Sequence, residues 1–339
     1  MGKIRVGTVG FSYRDWSGVF YPVGAQIRRQ LNIYENNFGI CELTQFVTQM
    51  PDRDRIAQLV GQLKGDLKFF VRLHNSFTHT TDIGLAMALA KHYRKAFEPL
   101  MDAGKFSGFV ASFPYAFKND TAARDYLQQL NVALEVPSTP LQLDFRHPSW
   151  QTEAGFRWLA THDLGFVCVD EPQLPGLVPP LVLSTSKHVL VRFHGRNREG
   201  WWSGNPTTRY DYFYSAQELD ELILRYEALA SALGRQVESL SFVFQNHWQA
   251  QAARNALQWK SLVEERYASL RQDVAQESFE PRRGLPFTPS TEAQALATLS
   301  SDDDPLRPPT SLPMSEVKSR VTQALSDLQV PLELPQREF

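Results

Sequence analysis

Apolar positions along the first 265 or so residues follow two alternating rhythms. Short runs rich in Val, Ile, Leu and Phe predict strands at Lys3–Gly10, Ile40–Phe46, Leu67–Leu73, Gly108–Phe113, Leu141–Phe145, Gly165–Asp170, His188–Phe193 and Leu240–Phe244. Between most of them apolar residues recur every three to four positions. That spacing predicts helices over Gln26–Phe38, Asp52–Lys64, Ile83–Ala103, Thr121–Leu134, Glu153–His162, Ala216–Leu233 and Gln249–Glu265. Strands alternating with helices predict a parallel sheet. Eight such units in about 265 residues fit an α/β fold of the (β/α)8 TIM-barrel kind, which takes about 250. An open doubly wound sheet is the competitor, but it usually has fewer strands and a Gly-rich phosphate turn after the first. Here that turn reads Val9-Gly10-Phe11-Ser12-Tyr13, with no G-x-G-x-x-G.

The pattern ends near residue 268, so residues 1–268 are assigned to the barrel domain. Residues 269–339 are assigned to a largely irregular C-terminal tail. Residues 280–313 are rich in Pro, Ser, Thr and Asp and include the run Ser300–Pro305, the composition of a linker. Val317, Val321, Leu325 and Leu328 then recur at helical spacing. They predict a short amphipathic helix that docks on its own barrel or on a partner.

Within a barrel, strand residues alternate between the helix layer and the interior. If the apolar set faces the helices, five strands turn polar residues inward. Strand two gives Glu42 and Thr44; strand three, Arg72 and His74; strand five, Gln142, Asp144 and Arg146. Strand six gives Cys168 and Asp170, with Val167 and Val169 outward. Strand seven gives Arg192 and His194. A buried unpaired charge costs several kcal/mol, so these groups must pair or meet a ligand. Three acids (Glu42, Asp144, Asp170) face three arginines (Arg72, Arg146, Arg192). A carboxylate cage for a divalent metal would show excess acid. The balance therefore predicts no metal and no other cofactor, although the two histidines leave room for a divalent ion. A structural ion-pair network plugging the barrel is the bland alternative.

Composition removes several classes. The net charge is −2 and the pI about 6.5, so no overall basic field draws the chain to nucleic acid or anionic lipid. The two cysteines, Cys41 and Cys168, sit in apolar runs without C-x-x-C or zinc-ligand spacing. Free buried thiols suit a reducing compartment. The N-terminus has no signal-like apolar region, and no stretch approaches the roughly 18 apolar residues that span a bilayer. A cytoplasmic protein with no membrane role is expected.

The loops add candidate chemistry. His194-Gly195-Arg196-Asn197-Arg198 leads into Trp201-Trp202 and then Tyr210-Asp211-Tyr212-Phe213-Tyr214. Cations interleaved with aromatics can grip a sugar, a base or a single strand, or pack as a lid. Gln245-Asn246-His247-Trp248 follows strand eight, and His147 and His79 are further acid/base candidates. No G-x-S-x-G elbow and no P-loop is present.

Several blocks, in order, resemble those of the domain-of-unknown-function family 72, the YecE-like proteins. Asp144-Phe145-Arg146-His147-Pro148-Ser149-Trp150 is similar to its [ED]-F-R-H-P-S-W signature. Gly7 to Tyr13, with Trp16 and Phe20-Tyr21-Pro22, resembles its N-terminal block. Val191-Arg192-Phe193-His194-Gly195-Arg196 resembles its V-R-[FL]-H-G block, and Tyr210, Tyr212 and Tyr214 its tyrosine block. Gln245-Asn246-His247 resembles its N-N-H block. The match spans about residues 3–262 and implies a (β/α)8 barrel, with no activity assigned to the family. Glu42-Leu43-Thr44 stands where Glu-[IV]-Asn is usual, Thr48 at a Tyr position, Ser112-Phe113-Pro114 for Gln-[FL]-Pro, and Gln245 for the first Asn.

The expected catalytic set is Glu42, Asp144, His147, His194 and His247. The expected substrate-binding set is Ser12, Tyr13, Trp16, Arg72, Arg146, Trp150, Asp170, Arg192, Arg196, Tyr210, Tyr214, Gln245 and Asn246. Glu42 or Asp144 would act as base, His194 or His247 as acid, and Arg146 with Arg192 as a clamp. The substrate would be small, polar and anionic, such as a phosphorylated or acidic sugar or nucleotide. Two alternatives stand beside this. One is a divalent-metal-dependent isomerase or phosphodiesterase-like barrel using Glu42, Asp144, Asp170 and His194. The other is a non-catalytic module that binds a protein or nucleic acid, the latter disfavoured by the pI.

Overall fold

A computed structural model describes residues 3–134, 139, 141–205, 208–232 and 236–276, with side chains through residue 266. Strands Lys3–Val9, Ile40–Leu43, Lys68–Arg72, Phe106–Ser112 and Gln142–Asp144 pair in parallel, each with the next. The seventh, His188–Phe193, pairs with the eighth, Ser239–Phe244, and the eighth returns to the first. The sixth is split. Gly165–Phe166 pairs with the fifth strand and Cys168–Asp170 with the seventh. The two free ends of the nine-segment sheet are thus halves of one strand, and the ring closes through Val167. At the break Phe166 N donates to Thr185 Oγ1 (2.8 Å) in place of a strand partner.

Helices wrap the outside: Ile27–Asn37, Arg53–Gln62, Ile83–Asp102, Thr121–Leu134, Glu153–Thr161, Ala216–Ser231 and Gln251–Gln276. Each begins close to its predicted place. Capping side chains fix several starts by satisfying N–H groups that a first turn leaves free. Asp52 accepts from Arg55 N and Thr152 from Gly155 N. Ser215 and Glu218 exchange both bonds of a capping box. The last helix runs past residue 268 to Gln276. The Pro/Ser/Asp-rich stretch and the helix expected over Val317–Leu328 lie outside the described residues.

Two buried layers follow from strand alternation. The larger lies between sheet and helices and includes Cys41, Leu43, Phe69, Val71, Leu143, Phe145, Val191 and Phe193. The smaller fills the barrel: Val9, Ile40, Phe70, Val110, Val167, Val169, Leu190 and Val243, with Val178 from a loop. The inward parity predicted for strands two, three, five and seven holds. That for strand six is inverted: Val167 and Val169 face inward, and Cys168 joins the outer layer. The barrel's lower storey is thus an apolar plug, and its polar residues gather at the C-terminal rim, where barrel enzymes place their chemistry.

Among the described residues, no helix is long and apolar enough to cross a membrane.

Candidate functional site

The inward parity of strands two, three, five and seven brings Glu42, Arg72, Asp144, Arg146 and Arg192 together above the plug. They form a chain of alternating charge. Arg72 Nε donates to Glu42 Oε1 at 2.8 Å. Glu42 Oε2 accepts from Arg192 Nη2 (2.8 Å) and Nε (3.2 Å). Arg192 Nη1 reaches Asp144 Oδ2 at 2.6 Å. Arg146 Nη2 meets the same oxygen at 3.3 Å, and its Nη1 meets Glu171 Oε2 at 3.0 Å. Ser112 Oγ also donates to Asp144 Oδ2 (3.0 Å). Arg192 is wholly enclosed, Arg72 is 17% exposed and Arg146 27%, so Arg146 is the arginine a ligand can reach.

Glu171 was missed by the sequence reading, which took Asp170 as the inward acid. With Val167 and Val169 inside, the next residue of that parity is Glu171. Asp170 turns aside instead. Its carboxylate takes Arg196 Nε (2.9 Å) and Nη2 (2.7 Å) and the Tyr214 hydroxyl (2.7 Å). Arg196 also meets Glu218 (3.2 Å), and Tyr214 Oη accepts from Gly195 N. Asp170, Arg196 and Tyr214 therefore form a separate group that braces the loop after strand seven.

The acids differ in their electrostatics. Burial pushes Glu42 up, but Arg192 and Arg72 outweigh it and hold its carboxyl below the usual range. Asp144 is likewise raised by burial and then drawn well down by Arg146 and Arg192. Glu171 goes the other way. Burial, helped by Asp144 and Asp170, pushes it up to about 7 against the pull of Arg146. Burial together with Arg146 and Arg192 holds His194 well below its ordinary value, so it is neutral at pH 7.

Several buried atoms at this rim meet no protein partner: Asp144 Oδ1, both ring nitrogens of His194, and Gln245 Oε1. Gln245 extends strand eight on the same parity as the inward Val243. An ionised carboxylate oxygen accepts, a neutral imidazole donates and accepts, and Arg146 donates. Buried polar groups are normally satisfied by protein or by water, so these atoms are open to a ligand or to solvent.

Aromatic rings wall one side. Tyr13 stacks on His247 (4.5 Å, 5°). Tyr210 lies 5.7 Å from His247 and 6.0 Å from His194, and Trp201 is 6.0 Å from His194. The loop after strand one braces His247 from behind. Trp16 Nε1 donates to the His247 carbonyl (2.7 Å), and Asp15 Oδ2 accepts from Gln249 N (2.6 Å). Gln249 and Ala250 both adopt left-handed φ (47° and 59°). Two consecutive non-Gly residues in that region store strain, which here is fastened next to a rim histidine.

Other expected site residues lie away from the rim cluster. Ser12 donates to Gln30 of the first helix (2.9 Å). Trp16 and Trp150 are fully buried; Trp150 stacks on Phe145 (4.2 Å) and donates to the Phe117 carbonyl. Asn246 ties Tyr212 O to Asn255. His147 Nδ1 accepts from Ser149 N (3.1 Å), closing the short turn Pro148–Trp150, and its ring meets Tyr115 at 4.7 Å. His74 uses Ser76 in the same way. Glu42, Asp144, Asp170 and His194 do not converge as a ligand set, since Asp170 points elsewhere and arginines hold both Glu42 oxygens. Among the described residues, no three or more His, Cys, Asp and Glu side chains are arranged to hold a metal ion.

Residues 5–280 match the family described as "Protein of unknown function DUF72". The chain is 25% identical over 283 residues to the UPF0759 protein YunF of Bacillus subtilis (strain 168), which covers 79% of this chain and 97% of that protein. A DUF72-family crystal structure from Thermotoga maritima MSB8 superposes with a TM-score of 0.69 at 34% identity, over 77% of this chain and 99% of that one. One from Enterococcus faecalis V583 shares the fold, with a TM-score of 0.65 at 22% identity over 84% and 100% of the two chains.

Proposed function

The chain belongs to the DUF72 family, and on that premise we propose that its barrel rim is the active site of an enzyme using general acid/base chemistry. The substrate is small, polar and anionic, of the class of phosphorylated or acidic sugars and nucleotides. One observation carries this reading: Arg146, the accessible end of an otherwise closed charge chain, touches the carboxyl that titrates near neutrality. A general acid or base works best when its pKa lies near the working pH.

The roles follow from the atoms. The N–H groups of Arg146 left over from Glu171 and Asp144 orient the anionic group of the substrate. Asp144, held ionised, accepts from a substrate hydroxyl through Oδ1. Neutral His194 donates from one ring nitrogen and accepts at the other. Glu171 takes a proton from the substrate or gives one to a departing oxygen. Glu42 and Arg192, the expected base and clamp, have their hydrogen-bonding capacity spent on each other and on neighbours, so they support Asp144 and Arg72 from below.

The test is a thermal-shift screen against phosphorylated and acidic metabolites, run without added metal on the wild type and on Arg146→Ala. A ligand that binds only the folded state raises the midpoint by mass action, by about 2.7 kcal/mol of stability at a hundredfold excess over Kd. At least one class of hits on the wild type should disappear in Arg146→Ala. A screen in which every hit shifts both proteins equally would sink the proposal.

A further inference from the structure

A second cleft of about 330 Å³ opens on the flank of the barrel rim, between the loops after strands six and seven and the helix Ala216–Ser231. Its walls include Arg196, Arg198 and Arg225, with Gln173, Tyr212 and Glu171. The volume suits a small metabolite. The charge within it is unbalanced. Arg196 is satisfied by Asp170 and Glu218, and Glu171 by Arg146. Arg198 and Arg225 are both exposed and form no hydrogen bond or ion pair with any described residue. Glu221, one turn before Arg225 on the same helix, is engaged by Gln217 instead. Two guanidinium groups without an ion-pair partner among the described residues thus share one cavity with the amide of Gln173.

Like charges brought into one concavity repel, and an anion between them removes that cost. Guanidinium groups present paired N–H donors that match the oxygens of a phosphate. We propose that this cleft is an anion-binding site for the phosphate group of a small phosphate monoester, gripped by Arg198 and Arg225. It is distinct from the rim site, although Glu171 borders both, and it does not depend on any reaction being catalysed there.

Inorganic phosphate, glycerol 3-phosphate and glycerol are the probes, titrated at low salt by calorimetry against the full-length protein. Both arginines are exposed, so Arg198→Ser with Arg225→Ser should fold as the wild type, which its thermal midpoint without ligand checks. The two phosphates should bind the wild type, and glycerol should not. Affinity should fall about tenfold in the double variant, the loss expected for one or two charge-assisted hydrogen bonds, and hold in Arg146→Ala. No phosphate binding, or equal binding by the double variant, would overturn the assignment. Binding lost in Arg146→Ala but kept in the double variant would place the phosphate at the rim instead, overturning this site while supporting the other.

Discussion

Arg192→Met is expected to lose about 3–5 kcal/mol of stability at pH 7, the usual result of removing one partner from a buried ion pair. Methionine keeps the length of the aliphatic stem, so its packing is largely kept. What is lost is the one cation shared by Glu42 and Asp144, both almost wholly buried. The pH dependence separates this from a packing defect. In the wild type both acids are depressed, so their contribution is present above the unfolded carboxylate pKa near 4 and is lost as pH falls from there through their lower folded values. In the variant burial is opposed by less positive charge and the acids shift upward, so stability declines as pH rises from 4 to 7. The deficit should therefore be larger at pH 7 than at pH 4. Adding Glu42→Gln and Asp144→Asn should recover part of it, because a neutral buried group is cheaper than an unpaired charge. Urea midpoints at the two pH values measure all of this. An unchanged midpoint at pH 7 would mean that the chain of charges does not hold the rim.

Glu171→Gln should act oppositely on stability and strongly on turnover. Glu171 is raised from 4.5 to about 7, so the native state holds its proton more tightly than the unfolded chain. Its favourable contribution is complete below pH 4.5 and is lost as pH rises to 7. At 1.36 kcal/mol per pKa unit this amounts to about 3 kcal/mol at most. Together with the opposite behaviour of Glu42 and Asp144, wild-type stability should peak on the acid side of neutrality. The glutamine variant should flatten the decline from pH 4.5 to 7 and stand above the wild type at pH 8. With any substrate that the screen identifies, the same variant should lose about 10²–10⁴ in kcat, the range for a general acid or base, and with it the pH–rate limb near 7. A variant that keeps the limb would assign the proton transfer to another group.

The fold was legible because the two rhythms of apolar residues do not resemble each other: Leu141, Leu143 and Phe145 alternate, whereas the helix at Thr121–Leu134 repeats every three to four residues. The same alternation located Glu42, Arg72, Asp144, Arg146, Arg192 and His194, since at the C-terminal ends of those strands only one face is apolar. Strand six defeated it. Val167, Cys168 and Val169 are apolar on both faces, because the interior at that height is itself the apolar plug. Asp170-Glu171 then offers a carboxylate at either parity, so nothing in the local pattern says which one reaches the rim. Two expected site residues, Trp16 and Trp150, lie away from the rim for another reason. Trp16 and Trp150 carry the same signal whether a ring faces a ligand or underpins a loop, and only long-range contacts, from Trp16 to His247 and from Trp150 to Phe117, decide. His147-Pro148-Ser149 and His74-Asn75-Ser76 share a spacing in which the imidazole closes its own turn, a local cue that a side-chain capping role was available.

The split sixth strand has a thermodynamic corollary. Only two residues of register join it to the fifth strand (Gln142 to Gly165, Leu143 to Phe166) and three to the seventh. A ring opens first where its ladder is shortest, and sub-global openings follow such seams. Glu171 follows this segment directly, and its carboxylate is tied through Arg146 to the fifth strand's Asp144, across the same seam. The side-chain bridge therefore spans the shortest join of the cylinder. Linkage is reciprocal: a ligand that orders Glu171 and Arg146 tightens the barrel, and breathing of the barrel loosens its hold on the ligand. The protonation of Glu171 and the closure of the fold are drawn from one reservoir of free energy.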